Sequence, residues 1–188
     1  MKIRKLGIAM LIIALLCSLW ACGSSDNSSG GSSGGTDLTG TPAELLEAFL
    51  EELKEAGVQM PMLLPIMPVP AAESQYAVGL SEEDFTQYVA DSAQSMAAIG
   101  TNAHQIVLLQ GVDDNAAGEI KSLISSEGGY NSQKWICVFP DMTIVVESGP
   151  YVLLAAAHRD VVDALIEIFT QQAGNTGEVI TFWNFVNE

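Results

Sequence analysis

Met142-Thr143-Ile144-Val145-Val146-Glu147, then Ser148-Gly149-Pro150, then Tyr151-Val152-Leu153-Leu154-Ala155-Ala156 is the stretch that decides the fold. Two runs rich in β-branched and aliphatic residues flank a Gly-Pro pair, the pattern of two strands joined by a tight turn. Upstream, His104-Gln105-Ile106-Val107-Leu108-Leu109 has the length and composition of a buried strand. Downstream, Asp160 to Gln172 carries Val161, Val162, Leu165, Ile168 and Phe169 at helical spacing. A further helix is expected from Asp113 or Asp114 to about Ser125, turning Ala117, Ile120, Leu123 and Ile124 inward before Gly128-Gly129 breaks it. Trp135-Ile136-Cys137-Val138-Phe139 is apolar without a legible period. The tail Val179-Ile180-Thr181-Phe182-Trp183-Asn184-Phe185-Val186 reads either as a further strand or as a short closing helix.

Two helices precede these elements. Thr41, Pro42 and Glu44 supply an N-cap, a first-turn proline and a capping box. Leu45, Leu46, Phe49, Leu50 and Leu53 then make one apolar stripe, which Gly57 ends. Ser81 with Asp84 caps a second, shorter helix that places Phe85, Tyr88 and Val89 on one face. The order helix, helix, strand, helix, strand, strand, helix predicts an α+β domain. Its small, mostly antiparallel sheet of three to four strands would be packed on one face by helices, in two layers.

Between those first helices stands Met60-Pro61-Met62-Leu63-Leu64-Pro65-Ile66-Met67-Pro68-Val69-Pro70. Four prolines forbid a continuous helix or a central strand, yet three methionines and four aliphatic residues favour burial. Two readings stay open. One is an extended segment laid across the domain. The other is an apolar lip for a ligand or partner, since methionine adapts to varied surfaces. On the second reading Met62, Leu64 and Met67, with Trp183 of the aromatic tail, form the candidate binding surface.

The N-terminus places the chain. Lys2, Arg4 and Lys5 precede an apolar run from Leu6 to Ala21, shorter than the roughly 20 residues that span a bilayer as a helix. Leu19-Trp20-Ala21-Cys22 resembles the lipobox of bacterial lipoproteins, with Trp20 where a small or β-branched residue usually stands. That resemblance implies a thioether-linked diacylglycerol on Cys22, cleavage after Ala21 and a lipid-anchored protein on the extracytoplasmic face of the cell membrane. An ordinary signal peptide containing a cysteine is the alternative. The Gly/Ser-rich stretch after Cys22 spans roughly 20–25 Å as a flexible coil. The expected organisation is therefore a signal peptide over 1–21, a lipidated cysteine and tether over 22–40, and one globular domain over 41–188.

The full chain holds 7 Lys and Arg against 23 Asp and Glu. Residues 1–21 carry three of the basic residues and no acidic one, so the mature chain keeps four against 23, a net −19. Such a charge repels nucleic acid, whose binding requires phosphate neutralisation by Lys and Arg. The partners expected are the membrane, through Cys22, and an envelope protein. Cys17 leaves with the signal and Cys22 is capped, so Cys137 stands alone and no internal disulfide can form.

The run Leu80-Ser81-Glu82-Glu83-Asp84-Phe85-Thr86-Gln87-Tyr88-Val89-Ala90, the segment Ala103 to Leu109, and Gly149-Pro150-Tyr151-Val152-Leu153-Leu154 follow one another in an order that resembles a bacterial lipoprotein family. That family is the one known as domain of unknown function 4358. The likeness covers roughly residues 43–171 and implies an anchor, a leading helix, a strand, a hairpin and a last helix. It carries no established activity and assigns no functional residue.

No catalytic signature emerges. Cys137 with His104 or His158 is the sole Cys/His combination, and Ile136, Val138, Trp135 and Phe139 around the thiol predict an inert core cysteine. The two histidines lack the partners that a zinc site needs. Asp113, Asn115 and Gly118 match part of a calcium loop, but Ala117 and Ile124 fill positions that must ligate, so helix capping is the better account. No catalytic residue, cofactor or metal is expected. The chain reads as a non-catalytic binding or accessory module of the cell envelope. The alternatives are an envelope hydrolase using Cys137 and His158, and a structural part of a secretion or sporulation assembly.

Overall fold

A computed structural model describes residues 36–183. Cys22, the export signal and most of the tether lie outside the described residues. The helix α1 spans Pro42–Glu55, and its Thr41 capping box forms as expected. A short α2 (Ser74–Ala77) and α3 (Glu82–Tyr88) lead into strand β1 (Val89–Met96). Then follow β2 (Gln105–Gly111), α4 (Asp114–Ser125), β3 (Met142–Ser148), β4 (Tyr151–Ala157), α5 (Arg159–Ala173) and β5 (Ile180–Trp183). The sheet order is β1-β2-β4-β3-β5 with every neighbouring pair antiparallel. Among the described residues no helix is long and apolar enough to cross a membrane.

The α+β class and the antiparallel sheet are as expected. The sheet has five strands, not three or four, because two were hard to read. β1 is built from Val-Ala-Asp-Ser-Ala-Gln-Ser-Met, small and polar residues of low strand preference. Val89, expected on the α3 face, instead opens this strand. β5 resolves the two readings of the tail in favour of a strand.

A second correction concerns the helical layer, since helices cover both faces. Side chains alternate along a strand, so Ile106, Leu108, Ile144, Val146, Leu153 and Ala155 meet α1 and α5. Val107, Leu109, Val145, Val152 and Leu154 point the other way and pack with Ala117, Ile120 and Ile124 of α4. Three of the strands are buried at nearly every position and carry continuous apolar runs at their centres, as strands covered on two sides do. Phe49 of α1 and Phe169 of α5 meet edge to face at 6.0 Å in the larger core.

The decisive hairpin turns through Gly149-Pro150, with Ser148 opposite Tyr151. Gly149 takes φ +52, the sign that the first position of a two-residue type II′ turn demands. A Cβ there would also overlap Thr36. Thr36 and its neighbours therefore belong to the domain, and the tether ends earlier than residue 40. The Asp37 N–H donates to the Ala173 carbonyl at 3.1 Å, Leu38 is buried, and the Tyr151 hydroxyl donates to the Gly40 carbonyl at 2.7 Å. The chain thus enters at the sheet end that carries the β3–β4 turn.

Candidate functional site

The proline-rich segment runs along the outer edge of β1. Leu64 N–H donates to Met96 O at 2.9 Å, and Met67 exchanges N–H and carbonyl with Gln94 at 3.2 and 2.8 Å. Ala98 N–H donates to Met62 O at 2.8 Å, and Val69 N–H to Ser92 Oγ at 3.1 Å. Neighbouring residues of an extended chain point their N–H groups in opposite directions. Pro65 follows Leu64 and Pro68 follows Met67, so one position beside each of these inward donors has no N–H to offer. The strip covers a sheet edge and offers a further strand fewer donors than a proline-free segment would.

Both sequence readings of this segment are partly realised. Met60 and Ile66 pack against the core and Val69 is buried. Met62 is 72% exposed, Leu64 39% and Met67 40%. Exposed apolar side chains are common singly, but these three cluster on one strip fixed by backbone bonds, the feature that marks a contact surface. Between the strip and α1 lies an open groove of about 510 Å³. Leu50, Met60, Leu63, Leu64, Pro65 and Ile66 form its apolar lining. Glu44, Glu47 and Glu51 line the helix side with Lys54 at one end, spaced three or four residues apart as one helix face requires.

The carboxylates differ in occupation. Glu44 accepts from the Thr41 N–H and hydroxyl, both at 2.9 Å, and the backbone bond lowers its pKa. Glu51 pairs with Lys54 at 3.2 Å in an exposed bridge, of a kind that contributes little. Glu47 stands between them, exposed.

Trp183 does not join this surface. Its backbone pairs with Met142 on β5, at the opposite edge from β1. Four strand spacings of about 4.8 Å put roughly 19 Å between the two edges. Neighbouring Phe182 is half-buried and tilts against the Tyr130 ring at 6.1 Å.

Cys137 is a correction. It is exposed with φ +68, in an irregular segment where Ile136 and Phe139 are exposed as well. A run with neither helical nor strand period had no face to turn inward. Exposure alone makes this thiol accessible to reagents, so ready labelling is not a sign of a nucleophile. His104 is buried, its Nε2 lacks a hydrogen-bond partner among the described residues, and burial pushes its pKa down to about 4. His158 is exposed at the start of α5, with Nδ1 3.2 Å from Asp141 Oδ2. That carboxylate also accepts the Arg159 N–H at 3.0 Å, the main cause of its lowered pKa. Among the described residues, no three His, Cys, Asp or Glu side chains are placed to hold a metal.

One cluster escaped the sequence reading. Lys134 Nζ donates to Tyr76 O at 3.0 Å, Ala77 O at 2.8 Å and Gln105 Oε1 at 2.7 Å, which uses all three ammonium donors. The rings of Tyr130, Tyr76 and Trp135 lie 4.6, 5.2 and 5.6 Å away. Burial pushes the ammonium down to about 7, against the pull of its acceptors and of the ring faces, which favour the charge. Gln105 Nε2 donates to Gln94 Oε1 and Gln94 Nε2 to Pro68 O, both at 3.4 Å. A polar chain thus links the loop before β3 to the proline strip. Its signal was a lysine between two aromatics, Tyr130 and Trp135, in an otherwise apolar loop.

No family model, curated protein or solved structure matches the chain.

Proposed function

We propose that this chain is a non-catalytic binding module of the cell envelope, held on the extracytoplasmic face by a lipid on Cys22. In this reading it engages a protein partner through the Met62–Met67 strip. The observation that carries the proposal is the groove beside α1, where Leu64 and its neighbours stay open to solvent on a strip fixed by backbone bonds. The export signal and the Gly/Ser stretch after Cys22 support the anchor. The strip's start, at Met62, bonds to the Ala97–His104 side of the sheet, away from the β3–β4 turn where Thr36 enters. Seven-residue strands put about 20–24 Å between those ends, so an anchored domain would hold part of its lip clear of the attachment point.

Replacing Met62, Leu64 and Met67 together with serine should abolish recovery of a crosslinked partner on intact cells while leaving the circular dichroism spectrum unchanged. Full recovery would remove this surface from consideration. Fatty-acid labelling should mark the wild-type protein and not the Cys22→Ala variant. Membrane retention of that variant would defeat the anchor.

A further inference from the structure

We propose that the groove takes a cationic, apolar-anchored peptide segment of its partner protein, with Lys or Arg side chains flanking aliphatic ones. This rests on the reading of the strip as a docking surface and adds the chemistry of the occupant. The apolar side of the groove is supplied by Leu50, Leu63, Leu64 and Ile66, which fit aliphatic side chains. Its polar side selects by charge. α1 carries five glutamates and one lysine, and a carboxylate only accepts hydrogen bonds. Pro65 and Pro68 have no N–H, so the strip itself offers few donors of its own. A segment bearing ammonium or guanidinium groups supplies donors to these carboxylates.

The lysines among the described residues do not fill that role. Lys121 is buried against Glu147 at 3.4 Å, and Lys134 is enclosed by its three acceptors. Among the described residues, Lys54 alone of the cations lines the groove, at one end, where Glu51 holds it. The mature chain's net −19 therefore keeps an open acidic surplus beside an open apolar lining. Such a field also speeds the approach of a cationic partner. A second copy of this chain, equally acidic, would be repelled.

The test uses the full chain in a non-ionic detergent and three synthetic peptides that share a Leu-Leu centre and differ in their flanks: lysine, glutamine or glutamate. The lysine peptide should bind most tightly and the glutamate peptide least, with the margin shrinking as salt rises. Glu47→Gln with Glu51→Gln should weaken the lysine peptide about threefold to tenfold. Glu82→Gln with Glu83→Gln, on α3 and outside the groove lining, should leave it unchanged. An equal loss from the α3 pair would make the effect one of overall charge and overturn the proposal. Failure of every peptide to bind would also overturn it. Equal binding of the lysine and glutamine peptides, both lost on Leu64→Ser, would overturn the cationic preference while leaving the docking surface intact.

Discussion

On the α1/α5 side of the sheet, Ile106, Leu108, Leu153 and Ala155 meet Phe49, Leu53, Leu165 and Phe169 in a large apolar core. The α4 side begins the same way, with Val107, Leu109 and Leu154 on Ile120 and Ile124, but toward β1 it gives way to Lys134, Gln105 and Gln94. The difference separates two jobs. Non-directional burial on the first side holds the sheet together. Directional bonds on the second place one loop and one strip relative to it, because a partly satisfied buried polar chain is costly and a complete one is specific. The candidate binding surface is attached to the second side through Pro68 and Gln94.

The sharpest way to break this contrast is to truncate the apolar side. Phe169→Ala should destabilise the domain by about 3–5 kcal/mol, read from urea midpoints, with no change in the pH profile. A loss under about 1 kcal/mol would mean that the aromatic pair is not central.

Acid should act through His104, which lies beside Gln105 at the start of β2. Its folded-state value of about 4 lies below its ordinary 6.5. Between those values the unfolded chain binds the extra proton, so stability falls as pH drops from 6.5 toward 4. A shift of that size is worth about 3 kcal/mol, and His104→Leu should remove this part of the acid sensitivity.

On the polar side, Lys134→Met should cost about 1–3 kcal/mol at pH 7 by stranding three acceptors. It should also flatten a rise in stability. Lys134 is pushed from 10.5 to about 7, so between those values the unfolded chain holds more protons and stability increases with pH. Tyr130, raised by burial to about 12, works the other way above pH 10. A variant with an unchanged slope between pH 7 and 10 would remove Lys134 from the account.

The smallest thermodynamic effect is expected at the strip. Pro65→Ala with Pro68→Ala should change stability by no more than about 0.4–1 kcal/mol per site. It should nevertheless promote self-association in sedimentation experiments at high salt, where repulsion between the acidic copies is screened, because N–H groups reappear on a sheet edge. A strictly monomeric variant would show that the prolines do not guard the edge.

How much could be read from the chain follows the same division. The hairpin, the β2 run and the α1, α4 and α5 stripes were legible because burial leaves a period. β1 was not: Ala93, Ser92 and Ser95 are buried without being strongly apolar, since β2 and the strip supply the surroundings. The expected helix-free second face failed because continuous apolar strands mark burial on both sides, a point that Val107-Leu108-Leu109 already carried. Cys137 was misplaced because apolar neighbours in sequence need not be neighbours in space. Of the candidate surface, Met62, Leu64 and Met67 do share one strip, whereas linking Trp183 to it required a sheet order that only long-range pairing reveals.

The central claim, that the strip is a place where a partner sits, is tested most directly by site-specific photo-crosslinking in intact cells from position 64. Position 112 serves as the reference, since Val112 is 59% exposed beyond the far end of β2. The account predicts a discrete adduct from position 64, joined to a lysine- or arginine-rich peptide with aliphatic neighbours, and none from position 112. Equal adducts from both positions, or none from position 64, would contradict it.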